Sequence, residues 1–284
     1  MSLDSSRDPT REGPVVAGVV IGIAVIVVAL VLFLPLIAVF AEAFRSGIEA
    51  YVAGITEPDA VSAIKLTLTV TAIVVPLNTI FGIATAWAVT KFEFWGKSAL
   101  MTLVDLPFSI SPVISGLIYV LVFGAHGWFV PQLDAWNIQI IFTVTGICLA
   151  TLFVTLPFVA RELIPLMQSQ GTDEESAAAT LGAGGWRTFF FVTLPNIKWA
   201  LMYGVLLCSA RAMGEFGAVA VVSGHIRGLT NTMPLHVEVL YNEYSFVSAF
   251  AVASLLAFFA LVTLAIKSFL EAQFADELAA QRRH

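Results

Sequence analysis

The sequence predicts an all-α integral membrane protein with six spanning helices, and three features carry that prediction. Hydrophobic residues make up 58% of the 284 positions and charged residues only 12%, about half of the roughly 25% charged content of a soluble domain. Charges are absent from Gly13 to Ala41, Leu66 to Thr90, Leu106 to Leu133, Ala135 to Ala160 and Tyr244 to Ile266. Each of these runs reaches the ~20 residues a helix needs to cross a hydrocarbon core of about 30 Å. The runs are also continuous, whereas strands of a membrane barrel would be about 10 residues of alternating polarity. Helices satisfy their own backbone hydrogen bonds in lipid, so helices are the expected solution.

The expected spans are 15–41, 62–90, 98–123, 139–160, 197–222 and 246–268. The first exceeds the ~7–15-residue apolar core of a secretory signal, although Ala41-Glu42-Ala43 loosely matches a cleavage site, so it is expected to stay as an anchor. Arg45 to Pro58 is too polar to span and is expected at the surface. Residues 1–14 and 269–284 form tails, 15–61 hold the first helix with its surface segment, and 62–268 form one membrane core. Cys148 and Cys208 lie inside apolar runs, as small core residues do. Nothing in the net charge of −6 points to nucleic acid.

Orientation follows from the placement of basic residues. With the N-terminus inside, Arg7, Arg11, Lys91, Lys97, Arg161, Arg187, Lys198, Lys267, Arg282 and Arg283 are cytoplasmic. Only Arg45, Lys65 and Arg227 lie outside, and Arg211 sits within a span, which obeys the positive-inside rule. Trp128 and Trp136, bordering an outer loop, and Trp95 and Trp199, bordering inner ones, suit interfacial positions.

The loop between spans four and five is built as a short helix. Thr172 and Glu175 have the spacing of a capping box, and Asp173 and Glu174 add negative charge where the helix dipole favours it. Gly182 supplies a stop that tolerates a left-handed backbone. Gly184-Gly185 then separate this helix from a second short element, Trp186 to Val192, and Pro195 suits the start of span five. By composition alone this is a well-capped connector.

Its spacing says more. Ser176-Ala177-Ala178, three residues, Gly182, nine residues, Val192, one residue and Leu194-Pro195 resemble the E-A-A…G…I-x-L-P loop of ABC-class importer permeases. One departure is that Ser176 occupies the glutamate position, with Glu174 and Glu175 just before it. The stretch Ala210-Arg211-Ala212-Met213-Gly214-Glu215-Phe216-Gly217-Ala218 resembles the signature of molybdate and sulfate permeases. Val222 to Gly228, Asn231 to Glu238, Tyr241 to Tyr244 and Asp105 to Leu117 are similar to the sulfate branch, in particular its W-type subunits. The resemblance implies a type I importer permease fold, alternating access, and a coupling loop at 171–195 that docks on an ATPase through Glu175, Ser176, Ala177, Ala178, Leu181, Gly182, Leu194 and Pro195. It implies as partners a T-type permease, two ATPase subunits that bind the ATP and Mg, and a periplasmic sulfate-binding protein. This chain has no G-x-x-x-x-G-K-[ST] loop, so no cofactor of its own is expected and hydrolysis belongs to another chain. A secondary transporter or a structural scaffold would leave the alanine–glycine loop without a purpose.

Polar groups inside spans are the candidates for path or gate. Arg211 and Glu215 are spaced for one helical face near mid-membrane, where a charge costs about 2.5–3.5 kcal/mol on insertion scales. Two readings stand: an intrahelical ion pair, or an arginine that meets the anion or steadies a gate. Ser109, Ser111 and Ser115 flank Pro107 and Pro112, and either satisfy backbone groups freed by proline or offer donors along the path. His225, Arg227 and His236 are expected in an outer loop, solvated or meeting a binding protein.

Overall fold

A computed structural model describes residues 14–273, and all regular structure among them is helical. The tail residues 1–13 and 274–284, with Arg7, Arg11, Arg282 and Arg283, lie outside the described residues. The chain begins with α1 (Pro14–Ala43), followed by the surface helix α2 (Gly47–Thr56) and the long α3 (Pro58–Lys91). Next come α4 (Lys97–Ser109), α5 (Pro112–Phe123) and the short α6 (Val130–Ala135). After α7 (Val144–Thr155) and α8 (Pro157–Gln170) lie the loop helices α9 (Asp173–Thr180) and α10 (Gly185–Thr188). A π-helical turn (Phe189–Thr193) leads into α11 (Leu194–Met213), and α12 (Gly217–Ser223), α13 (Met233–Asn242) and α14 (Phe246–Gln273) complete the order. Five spans are long and apolar enough to cross a membrane, six when α4 and α5 count as one broken span.

Three expected spans are corrected in shape. Span three is not one helix over 98–123: α4 and α5 meet at a 108° bend. Pro112 is the cause, because a residue before proline is driven from the helical region, and Ser111 has φ −57 and ψ 134. Span five was expected at 197–222, but it runs from Gly185 to Met213 and breaks at Gly214–Phe216 before α12. The second loop element is therefore continuous with the span. Pro195 has no N–H to give and its ring crowds the preceding turn, and the chain widens there, with Leu194 N–H reaching the Phe189 carbonyl. Span four extends past Ala160 to Gln170. Arg161 does not end it, because the guanidinium reaches sideways to Asp105 (Nε–Oδ1 2.7 Å) and over the Phe108 ring.

Packing gives α3 the central place. Val70 and Val74 join a core with α7 and α12, Val75 and Ala86 one with α8 and α11, and Ala60 and Ala63 one with α13 and α14. Small residues allow the approach: a Cβ on Gly82 would lie 2.7 Å from the Val159 side chain on α8. Cys208 is buried and Cys148 half-buried, both free thiols. By contrast α1 packs mainly on α14 and leaves most of its apolar side chains exposed.

Candidate functional site

The loop helix α9 is closed at its C-terminal end as expected. Gly182 has φ +85, its N–H reaches the Ala179 carbonyl at 3.0 Å, and the Ala183 N–H reaches Ala178 at 3.0 Å. These two bonds form a Schellman motif, which needs a left-handed residue at this point. At the N-terminal end the expected capping box is absent, since the Thr172 side chain makes no cap bond. Glu175 instead turns to Lys91 at the end of α3, with Oε1 2.7 Å from Nζ, and accepts from Thr193 Oγ1 at 3.1 Å. Lys91 also donates to the Gly171 carbonyl, and Asn196 Nδ2 donates to Glu174. A nearly buried ammonium needs a charged partner more than a helix needs a neutral cap, so the ion pair wins.

The other docking candidates differ in exposure. Ser176, Ala177, Leu181, Gly182 and Pro195 are exposed, and Ala178 and Leu194 are half-buried. Leu181 is 89% exposed and Phe191 78%, and both line an open groove of about 290 Å³ with Gly182, Ala183, Arg187, Thr188 and Val192. Trp186 stacks on Phe190 beside it, and both rings are exposed. Large apolar side chains on a charged loop mark a surface made to be covered. The aromatic share was not recognised from the sequence, although Trp186-Arg187-Thr188-Phe189-Phe190-Phe191 signals it.

The path candidates lie at the two broken spans, and those breaks meet. A Cβ on Gly217 would lie 3.0 Å from Pro112 Cβ, and one on Gly116 would lie 2.7 Å from the Ala218 carbonyl oxygen. Arg211 and Glu215 do pair, with Nη1 2.7 Å from Oε2, but not along one helical face. The helix ends at Met213, and Glu215 sits in the break, where its Oε1 accepts the Ala218 N–H at 2.9 Å. Glu215 is buried, while Arg211 keeps a third of its side chain exposed. Oε2 receives no aligned hydrogen bond, so this contact is a close approach of charges. It borders a cavity of about 10 Å³ also lined by Thr67, Thr151 and Thr232.

The serines divide. Ser115 is buried and its hydroxyl donates to the Ser111 carbonyl at 3.2 Å, so it serves the backbone of the break. Ser109 and Ser111 are exposed on either side of the bend. Asn78 was missed: fully buried on α3, it donates to Thr155 Oγ1 at 2.7 Å and ties α3 to α7. A lone amide in an apolar run was the available signal.

His236 is a correction. It is 1% exposed, inside α13 and not on a loop, with Nδ1 accepting from Asn231 Nδ2 at 3.3 Å. Burial pushes its imidazole pKa below the usual range. Arg227 bonds Glu243, which holds that carboxyl below the usual carboxylate range. His225 is half-buried, with Nε2 3.1 Å from the Ala220 carbonyl.

Residues 78–275 match the family of binding-protein-dependent transport system inner membrane components. The chain is 52% identical to the sulfate transport system permease protein CysW of Synechocystis sp., over 84% of this chain and 87% of that protein. It is 34% identical to the sulfate transport system permease protein CysT of Escherichia coli K12, over 86% and 88%. Its fold is similar to a chain in the crystal structure of a bacterial alginate ABC transporter in complex with an alginate pentasaccharide-bound periplasmic protein, with TM-score 0.72 and 19% identity over 90% of this chain and 92% of that one. With a matched region covering most of the described residues, including both broken spans and the loop between spans four and five, the chain belongs to the binding-protein-dependent transport system inner membrane components.

Proposed function

We propose that this chain is the W-type permease subunit of an ATP-driven importer that carries sulfate, and thiosulfate with it, across the inner membrane. The observation that carries this reading is the 52% identity, over most of both chains, to a sulfate permease. The exposed loop surface supports it, because Leu181, Trp186 and Phe191 are left for a partner to cover. That partner is one of two ATPase subunits, which bind the ATP and Mg. A T-type permease forms the other half of the path, and a periplasmic sulfate-binding protein delivers the anion. The positive-inside bias supports cytoplasmic termini and puts α9 on the cytoplasmic side.

The mechanism is alternating access. ATP binding draws the ATPases together, α9 moves with them, and the broken spans reopen towards the binding protein. An energy source is needed, because import of a dianion against an inside-negative potential is opposed by about 2.3 kcal/mol per charge per 100 mV. Arg211, Glu215, Ser109 and Ser111 are assigned to the path or its gate, and Ser115 to the backbone of the break. Pairing with Glu215 tempers Arg211, so the anion passes without being trapped, and the exposed hydroxyls of Ser109 and Ser111 offer neutral donors. The span-five signature is shared with molybdate and tungstate permeases, which makes molybdate the competitor to test.

Reconstitution with the partner subunits in liposomes tests the reading through uptake of labelled sulfate. ATP-dependent uptake that molybdate does not displace, and that disappears in Gly182→Lys or Ala177→Glu, is the expected result. Uptake that persists without ATP would overturn it in favour of a secondary transporter.

A further inference from the structure

Lys91 is the last residue of α3, a place from which a lysine ordinarily extends into water. Here its side chain is only 7% exposed. The ammonium lies 2.7 Å from Glu175 on α9 and donates to the carbonyl of Gly171, the residue between α8 and α9. Glu175 also accepts from Thr193 at the root of α11. The ion pair therefore joins α9 to α3, which is remote from it in sequence, and through Thr193 meets the root of α11.

Its location gives the pair a mechanical role. The only covalent routes out of α9 lead into α8 and, through Gly182 and the π turn, into α11. Neither is continuous in the chain with α3, the helix that contributes to all three core clusters; α8 and α11 meet it through apolar packing, whereas the ion pair ties α9 to it by charge. An eight-residue helix moves its neighbours only where it is fastened to them. Glu175 is turned to the nearly buried Lys91 and the exposed Glu174 is engaged by Asn196, while Ser176 and Ala177 stay exposed for a partner. This also gives the serine at the usual glutamate position a physical context: the carboxylate one residue earlier is spent on the bundle.

We propose that the Lys91–Glu175 ion pair is the joint that transmits movement of the coupling helix to α3, in parallel with the covalent route into α11. Lys91 is a positioning residue in this scheme and does not meet the anion. The proposal rests on the reading of α9 as the ATPase-docking element.

The test uses the full complex of both permeases, ATPases and binding protein in liposomes, with Lys91→Met, Lys91→Arg and the exchange Lys91→Glu/Glu175→Lys. Three quantities are measured: assembly by size exclusion, stimulation of ATP hydrolysis by sulfate-loaded binding protein, and sulfate moved per ATP. Lys91→Met is expected to assemble and keep basal hydrolysis while stimulation and sulfate per ATP fall roughly tenfold, as for one lost charge-assisted hydrogen bond. Lys91→Arg and the exchanged pair are expected to recover much of both. Wild-type stimulation and stoichiometry in Lys91→Met would overturn the joint, and so would assembly lost in Lys91→Met and not recovered by the exchanged pair. A wild-type complex that hydrolyses ATP without moving sulfate would overturn the substrate reading instead, and the stimulated hydrolysis of Lys91→Met would still decide the joint.

Discussion

Arg211–Glu215 and Lys91–Glu175 are acid–base pairs with one partner nearly buried, and they differ in what they connect. Arg211 and Glu215 are four residues apart and bridge the break between α11 and α12. Lys91 and Glu175 come from remote segments and fasten a surface helix to the central one. The first pair is local, with the acid almost wholly enclosed and the base partly open. In the second the base is the more enclosed member. The partner that is left enclosed sets the cost of breaking a pair, because an uncompensated charge in a low-dielectric site is what destabilises. Stability should therefore be most sensitive to Arg211 at the first site and to Glu175 at the second.

The largest effect separating the sites is expected from Arg211→Met, which strands the Glu215 carboxylate. Breaking a buried pair this way costs about 3–5 kcal/mol, read as a lower thermal unfolding midpoint in detergent, and Arg211→Met/Glu215→Gln should recover most of it. Equal stability of Arg211→Met and wild type would break the comparison. Next come the close approaches beside each site, α3 on α8 and α5 on α12. Gly82→Ala and Gly116→Ala push a methyl to 2.7 Å from Val159 and from the Ala218 carbonyl respectively, and overpacking of this kind costs about 1–3 kcal/mol. Both obstacles are set by backbone, since the Gly82 methyl also meets Ala160 N at 3.0 Å and Val159 Cβ moves only with its own chain, so a lowered unfolding midpoint is expected in both variants. A smaller effect, about 1 kcal/mol, is expected for Ser115→Ala, which loses one hydrogen bond to Ser111. Its KM for sulfate uptake should stay at the wild-type value, while Ser109→Ala and Ser111→Ala should raise theirs.

The smallest effect is a pH slope. Burial lowers the His236 pKa, against the raising influence of Glu57, Asp59 and Glu243 and with a lowering one from Arg227. The unfolded chain then binds more protons than the folded one once pH falls through about 6.5. Stability should decline on acidification from that point. Unfolding midpoints at pH 7 and pH 5.5 should differ less in His236→Gln than in wild type. Protonation of Glu243, held low by Arg227, also removes stability, but at more acidic pH, so the two contributions separate along the titration.

Much of the membrane core was legible because lipid imposes a strong rule on composition. Runs without charge had to be helices, and the spans at 15–41, 62–90 and 246–268 appear within α1, α3 and α14. Gly182 was legible as a left-handed stop because few residues other than glycine fit there. The capping box was misread, since Thr172 and Glu175 have the right spacing and only the approach of Lys91 from another helix diverts the glutamate. The spacing of Arg211 and Glu215 predicted their pairing but not the break between them. His236 read as a loop residue because it follows the polar stretch Gly224 to Thr232 between two spans, whereas the structure places it inside α13, which packs on α14 and α3, and buries it.

The sequence by itself determined an all-helical membrane protein and the glycine stop of the loop helix between spans four and five, since charge-free length and turn chemistry are properties of neighbouring positions. Tertiary structure alone decided that span three bends by 108°, that the two broken spans meet at Pro112 and Gly217, and that Lys91 holds Glu175. These depend on contacts between residues far apart in the chain, where the free energy of one close approach overrides the preference each segment has alone.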